Sequence, residues 1–346
     1  MQPKLVCVGS YGPGMGGHGA GIYLFWQGRS RVLTPAGTFD MAAPSWLCWH
    51  PSLPVLYAAD EQEGTVTALA LGPDGSSGQD LLRVVERLPS GGREPCHLAV
   101  CGKGEYLACA NYGSGSVSIF RLDPEGKLVE RTWLAEHHGS SRDSERQDRA
   151  HPHMVVPTAD GSRVSVVDLG TDEVRSYQLS AQGELGPLAT STVPPGSGPR
   201  QLVRVPGSRR VFVVAELTSS LIVADEAEDG GIVVAGTLAA TPASGREGSP
   251  RNFPSQAALS IDHRLLYLSN RGADTIAVFA TDDLRRTGEY PSGGQWPRHF
   301  ALDGPYLYVA NQLGDTLALL EIDPLTGALS ISSTYTVGSP ACVVVR

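Results

Sequence analysis

Seven times, at intervals of about 50 residues, the chain produces a short apolar run introduced by a turn and usually a proline. The runs are PSWLCWH, PCHLAV, HPHMVV, PRQLVRV, PSQAALSI, PRHFALD and PACVVV, starting at Pro44, Pro95, His151, Pro199, Pro254, Pro297 and Pro340. Each of the first six is followed by a second run (VLYAAD, YLACAN, RVSVVD, RVFVVAE, LLYLSN, YLYVAN), then a third, and usually a more polar fourth. A unit of four short strands cannot bury both of its faces alone, so it must stack against neighbours on either side. The pattern predicts an all-β, seven-bladed β-propeller.

The spacing inside each unit supports the repeat. The second run closes on Asp60, Asn111, Asp168, Glu216, Asn270 and Asn311, and the third is expected to begin four residues later, at Gly64, Gly115, Asp172, Ser220, Asp274 and Asp315. The last copy, 340–345, has no strands after it. The N-terminus, conversely, opens with KLVCVGS, GIYLFW and RVLTP, which read as second, third and fourth strands without a first. The C-terminal strand is therefore expected to complete the N-terminal blade and close the ring, so that 1–346 form one domain with no open sheet edge. On this reading the Gly- and Pro-rich stretches DEAEDGG and TPASGREGSP are turns and a blade connection. With Gly at 41 and Pro at 25 among 346 residues, the 41% hydrophobic content is cut into short pieces, as many short strands require.

A formal net charge of −9 disfavours nucleic acid or an acidic membrane as a partner, since either needs a field of the opposite sign. No stretch approaches the ~20 apolar residues of a membrane helix, and the N-terminal apolar run is too short for a signal peptide. The expectation is a cytoplasmic protein. Cys7, Cys48, Cys96, Cys101, Cys109 and Cys342 form no CxxC pair and sit mostly in strand-like runs, so they read as buried reduced thiols.

In an antiparallel blade the start of the first strand and the end of the second lie on the same face of the disc. One mouth of the central channel is thus expected to gather His97, His153, Arg200, Arg298 and His299 from first strands. Second strands add Asp60, Asn111, Asp168, Glu216, Asn270, Arg271 and Asn311. Asp and Asn at strand ends often cap their own turns. That reading stands beside ligand contact for Asn111, Asp168 and Asn311. Glu216 is too long for the usual local bond. Three arginines at one mouth of an acidic protein point to an anionic ligand, because guanidinium forks fit phosphate and carboxylate.

Residues 136–150 form the longest polar insertion, and they lead into His151-Pro152-His153. They are expected to lie over the mouth and, lacking apolar anchors, to be more mobile than the blades. His153, next to this loop, is the histidine best placed for acid–base work. His137, His138 and His151 are weaker candidates, and no carboxylate or cysteine stands at metal-ligand spacing among them, so no metal and no cofactor are expected. GSYGPGMGGHGAG contains a formal GxGxxG at Gly12, Gly14 and Gly17, but it leads into a strand, so the dinucleotide reading lacks its helix.

These residues resemble the seven-bladed-propeller lactonases, which include the propeller type of 6-phosphogluconolactonase and the carboxymuconate cyclases. The resemblance spans essentially the whole chain and is most specific in GSSRDSERQDRAHPH with VVDLGTDEV, in GPRQL, VVAELTSS, LSNRGADTIAVF and WPRHFALD. It implies catalytic or substrate-binding roles for His153, Arg200, Glu216 and Arg271. One departure is Gln201, where such proteins often carry histidine. The implied activity is hydrolysis of a small anionic sugar lactone, with 6-phosphogluconolactone favoured and the pentose phosphate pathway as its setting. Arginines would hold the anion and stabilise charge on the carbonyl oxygen, while His153 or Glu216 activates water. Arg298, His299, His97, Asn111, Asp168 and Asn311 would contact substrate. A lactonising cyclase with a carboxylate substrate, or a non-catalytic binding platform, are the alternatives. Nothing in the sequence names a protein partner.

Overall fold

The computed structural model describes residues 3–28, 32–72, 78–242 and 251–346. The expected blade connection TPASGREGSP lies mostly outside the described residues. Among those residues, the strands form seven four-stranded antiparallel sheets. Six innermost strands are Pro44–Trp49, Pro95–Cys101, Pro152–Pro157, Pro199–Arg204, Phe253–Leu259 and Pro297–Asp303. The seventh, Pro340–Val345, pairs antiparallel with Lys4–Ser10, placing Val6 opposite Val345 and Gly9 opposite Cys342. Each innermost strand touches the next around the circle, and 297–303 touches 340–345, which touches 44–49. The ring is closed by a blade made from both chain ends, as the missing first strand required.

The blades hold together through their faces. Leu5, Ile22 and Leu24 of the two-ended blade pack with Leu47, Leu56 and Leu69 of the next, and equivalent clusters fill each further gap. Tyr57 and Tyr267, three residues before the end of their second strands, are at most 1% exposed. Each reaches across a gap to a neighbour's outer turn, Tyr57 to the Gly126 carbonyl at 2.6 Å and Tyr267 to Gly327 at 3.3 Å. Burying a large side chain while satisfying its one polar atom contributes roughly 1.5–3 kcal/mol per site.

The expected start of the third strands is corrected. Five begin one residue later, at Thr65, Ser116, Glu173, Thr275 and Thr316. In these six units the residue before the third strand is left-handed, including Gly64 (φ 64°), Asp172 (φ 55°), Asp274 (φ 57°) and Asp315 (φ 50°). An αL residue there reverses the chain, a conformation that Gly adopts freely and Asp better than most. The aspartates also clamp the crossing to the next blade. Asp172 Oδ1 accepts from the Gly198 amide at 2.8 Å, Asp274 Oδ1 from Trp296 at 2.7 Å, and Asp315 Oδ1 from Ser339 at 2.8 Å.

Candidate active site

A repeated irregularity aims side chains into the channel. In the second blade Pro44 pairs with Asp60 and Trp46 with Ala59, so Ser45 is left out of the ladder. The same one-residue bulge frees Cys96, His153, Arg200 and Arg298, and the fifth unit's slip falls between Pro254 and Ala257. A bulge twists the strand and turns its extra residue out of the sheet plane. Here it turns His153, Arg200 and Arg298 toward a common cavity of about 10 Å³, also lined by His97, Gln201 and His299. That is room for about one water.

A second ring sits above the first, formed by the residue following each second strand. In the fourth unit the strand ends at Ala215, the partner of Pro199, not at Glu216. Glu216 therefore matches Glu61, Tyr112 and Leu169, while Asn270, paired with Pro254, puts Arg271 in the same class. Asp60, Asn111, Asp168 and Asn311, one residue earlier, pair with the prolines instead.

The two rings meet at Glu216, whose side chain is 1% exposed. Its Oε2 lies 2.9 Å from Arg200 Nη1 and 2.8 Å from Arg271 Nη2, and its Oε1 accepts from Arg146 Nη2 at 2.8 Å. Arg200 Nη1 also points at His153 Nε2. Arg200 Nε and Arg271 Nε donate to the carbonyls of Ser255 and Phe253, which fixes both guanidinium planes. Arg271 further lies 5.6 Å from the centre of the Trp296 ring. Burial pushes the Glu216 carboxyl up, but Arg271, Arg200 and Arg146 outweigh it and hold it well below the usual carboxylate range. Burial and Arg200 together hold His153 well below the usual histidine value, so its imidazole is neutral at pH 7. Burial likewise takes His97 and His299 down to about 3, with Arg200 adding to both.

The family model described as "Lactonase, 7-bladed beta-propeller" matches residues 5–345. The chain belongs to this lactonase family. It is similar to the 6-phosphogluconolactonase of Bacillus subtilis, at 28% identity with 97% of each chain covered. A protein of the same name from Formosa agariphila is 28% identical, covering 90% of this chain and 91% of the relative. Among solved structures, the periplasmic gluconolactonase of Pseudomonas aeruginosa superposes with a TM-score of 0.90, at 26% identity and 99% of both chains. No helix among the described residues is long and apolar enough to cross a membrane.

The mouth thus gathers His153, Arg200, Glu216 and Arg271 in one cluster of hydrogen bonds and ion pairs, with His97, Arg298 and His299 lining the cavity below. It does not gather Asn111, Asp168 and Asn311. These three are 0% exposed and face their own turns. Asp168 Oδ1 accepts from the amides of His151 and Gly170, its Oδ2 meets His137 Nδ1 at 2.8 Å, and Asn111 Nδ2 donates to Ser116 and Ser118. Asn311 Nδ2 donates to the Ser292 carbonyl at 3.2 Å. A strand-closing residue pairs opposite a proline and points away from the channel, whereas its successor points in.

Four residues at the mouth escaped the sequence reading: Tyr11, Glu61, Tyr112 and Arg146. The first three follow second strands and become visible once the repeat is read one residue further on. Arg146 carries no repeat signal, because it comes from the insertion. The 136–150 loop does lie over the mouth, and its anchors are polar. Gln147 is fully buried with its Nε2 on the Leu169 carbonyl at 2.8 Å, and His137 bonds both Asp168 and Tyr177. The Gly-rich run folds as a short 3-10 turn, Pro13–Met15, before the strand Gly21–Gln27. Gln201 Oε1 accepts the Ala257 amide at 2.9 Å, so the residue at the departure from the resemblance ties two blades together. A cavity of about 1000 Å³ opens on the opposite face among turns such as 260–264 and 323–327, away from both rings. All six cysteines are free thiols.

Proposed function

We propose that the protein hydrolyses the lactone of a small anionic sugar, with 6-phosphogluconolactone as the favoured substrate. The observation that carries this reading is the pairing of a neutral His153 with arginines that outnumber the ionised carboxylate among them. Arg146, Arg200 and Arg271 surround the single carboxylate of Glu216. Arg271 Nη2, though 2.8 Å from that carboxylate, is not aligned for a hydrogen bond and so keeps donor capacity for a ligand. Excess guanidinium N–H groups over acceptors suit a phosphate on the substrate and an oxyanion in the transition state.

The roles follow from the electrostatics. Glu216 is a poor base, since three cations stabilise its charged form, and it acts by fixing the arginines in place. His153 is the base. Its Nε2 lone pair faces Arg200 in the free protein, and a lactone carbonyl that takes the Arg200 N–H releases that lone pair to a water molecule. Water attacks the carbonyl carbon, Arg200 and Arg271 hold the developing oxyanion, and the carbon–ring-oxygen bond then breaks. The two rings and the loop leave the reaction in a site with few routes to bulk water, where such charge stabilisation is strongest.

The test is hydrolysis of 6-phosphogluconolactone, its unphosphorylated counterpart and a carboxylate-bearing lactone, each with the spontaneous rate subtracted. The parent is expected to prefer the phosphorylated substrate. His153→Ala is expected to lower kcat about 10²- to 10⁴-fold with little change in KM, and Arg271→Ala to raise KM as well. Preference for the carboxylate-bearing lactone would move the substrate class to carboxylates, and a parent no faster than water on all of them would leave a binding platform.

A further inference from the structure

The chain places a second carboxylate in the mouth, and the mechanism above does not use it. Glu61 follows the second strand of its blade, as Glu216 follows its own, so both hang from the same position of the repeat. Glu61 is 8% exposed, yet its surroundings are unlike those of Glu216. Its Oε2 is buried without a hydrogen-bond partner, and so is the Oγ of Ser45, the bulge residue of the same blade. Tyr11, from the neighbouring two-ended blade, stacks its ring under Arg298 at 4.9 Å and bonds Arg298 Nη2 through its hydroxyl. Arg298 is thus spoken for by Tyr11, and it feels the charge of Glu61 and of Glu216 alike. Among the described residues Glu61 has no guanidinium at ion-pair distance, whereas Glu216 has three.

We propose that Glu61 is the proton donor to the ring oxygen that leaves when the lactone opens, a role that rests on the lactonase reading above. An alkyl lactone must expel an alkoxide, a strongly basic and therefore poor leaving group, so its ring opening benefits from an acid within hydrogen-bond reach that protonates the oxygen as the bond breaks. A carboxyl that is buried, unpartnered at one oxygen and poorly paired favours its protonated form more than a solvated one does. Burial pushes it up, Glu94 adds to that, and Arg298 and the Tyr11 hydroxyl pull only partly back. Cys96, the remaining titratable neighbour, is itself a buried neutral thiol. The step balances. Water adds to the carbonyl carbon and gives a proton to His153. As the carbon–oxygen bond breaks, its electron pair stays on the ring oxygen, which takes the Glu61 proton. His153 then releases its proton to solvent, Glu61 recovers one from solvent, and the new carboxyl of the product ionises. Two carboxylates at equivalent positions with opposite environments are a known device for dividing acid from charge-bearing roles.

The experiment compares Glu61→Gln with the parent on two kinds of lactone, one leaving as an alkoxide and one as a phenoxide, which needs no acid. The expected result is a loss of about 10²-fold on the alkyl lactone and no more than about threefold on the aryl lactone, with Glu61→Asp recovering part of the former. In the parent, the rate on the alkyl lactone should fall as rising pH removes the Glu61 proton, and the Gln variant should lack that limb. Infrared difference spectra at neutral pH, parent minus variant, should show the carbonyl stretch of a protonated carboxylic acid. An active parent whose Gln variant matches it on alkyl lactones, or loses equally on both kinds, overturns the donor role and leaves the lactonase reading standing. Absence of the protonated-acid band also overturns it. A parent no faster than water on every lactone overturns both.

Discussion

Glu216 and Glu61 occupy one position of the repeat on different sides of the mouth, and they differ in everything but sequence. Arginines from its own blade, the next blade and the 136–150 loop converge on Glu216 and hold its charge, whereas Glu61 meets only an arginine already engaged by Tyr11. The lesson is that in a radial repeat the residue type sets what a position can do, and the neighbours across the channel set what it does.

The largest expected effect that sharpens this contrast is on stability. Glu216→Gln leaves buried arginines without their counter-charge and is expected to cost about 3–5 kcal/mol. On the donor reading, Glu61→Gln exchanges one neutral buried group for another of the same shape and is expected to stay within about 1 kcal/mol. Urea unfolding of the two variants measures both, and equal losses would erase the distinction between the two sides. A similar method tests the histidines beneath the rings. His97 and His299 are held at about 3 against an ordinary 6.5, so between those values the unfolded chain binds more protons than the folded one. Stability is therefore full above pH 6.5 and falls as pH drops toward 3, by roughly 1.4 kcal/mol per pH unit for each histidine. His153, also held down, adds to the same slope, so His97→Phe should take about 1.4 kcal/mol per pH unit off it, and an unchanged slope would place the protons elsewhere.

Smaller effects separate the loop from the blades. Arg146 is 37% exposed and meets Glu216 from the solvent side, so Arg146→Ala is expected to raise KM by about fivefold or less, with kcat nearly kept. A fall in kcat as large as that of His153→Ala would move the loop into the chemistry itself. The smallest change is Asn111→Ala, which removes bonds to Ser116 and Ser118 and should lower stability by about 1 kcal/mol without altering KM. A raised KM there would return Asn111 to the site.

The sequence by itself determined the ring. Period, strand count and the orphan strands at the two ends permit a single way of burying every blade face, because each blade needs a neighbour on both sides and the missing first strand was present only at 340–345. It also brought His153, Arg200, Arg271 and Glu216 to one mouth, since strand polarity alone assigns them to that face. What the sequence did not decide was which of two adjacent residues looks inward. Asn111, Asp168 and Asn311 are as polar as Glu216 and stand one position earlier, and only the bulge after each proline and the exact partner of that proline turn one residue to the channel and the other to its own turn. The pairing of the arginines with Glu216 and not Glu61, the arrival of Arg146 from an insertion without a repeat, and the neutral state of His153 belong to the tertiary structure alone. They depend on distances within a blade, between neighbouring blades and to the insertion, and on burial, which no local pattern of residues contains.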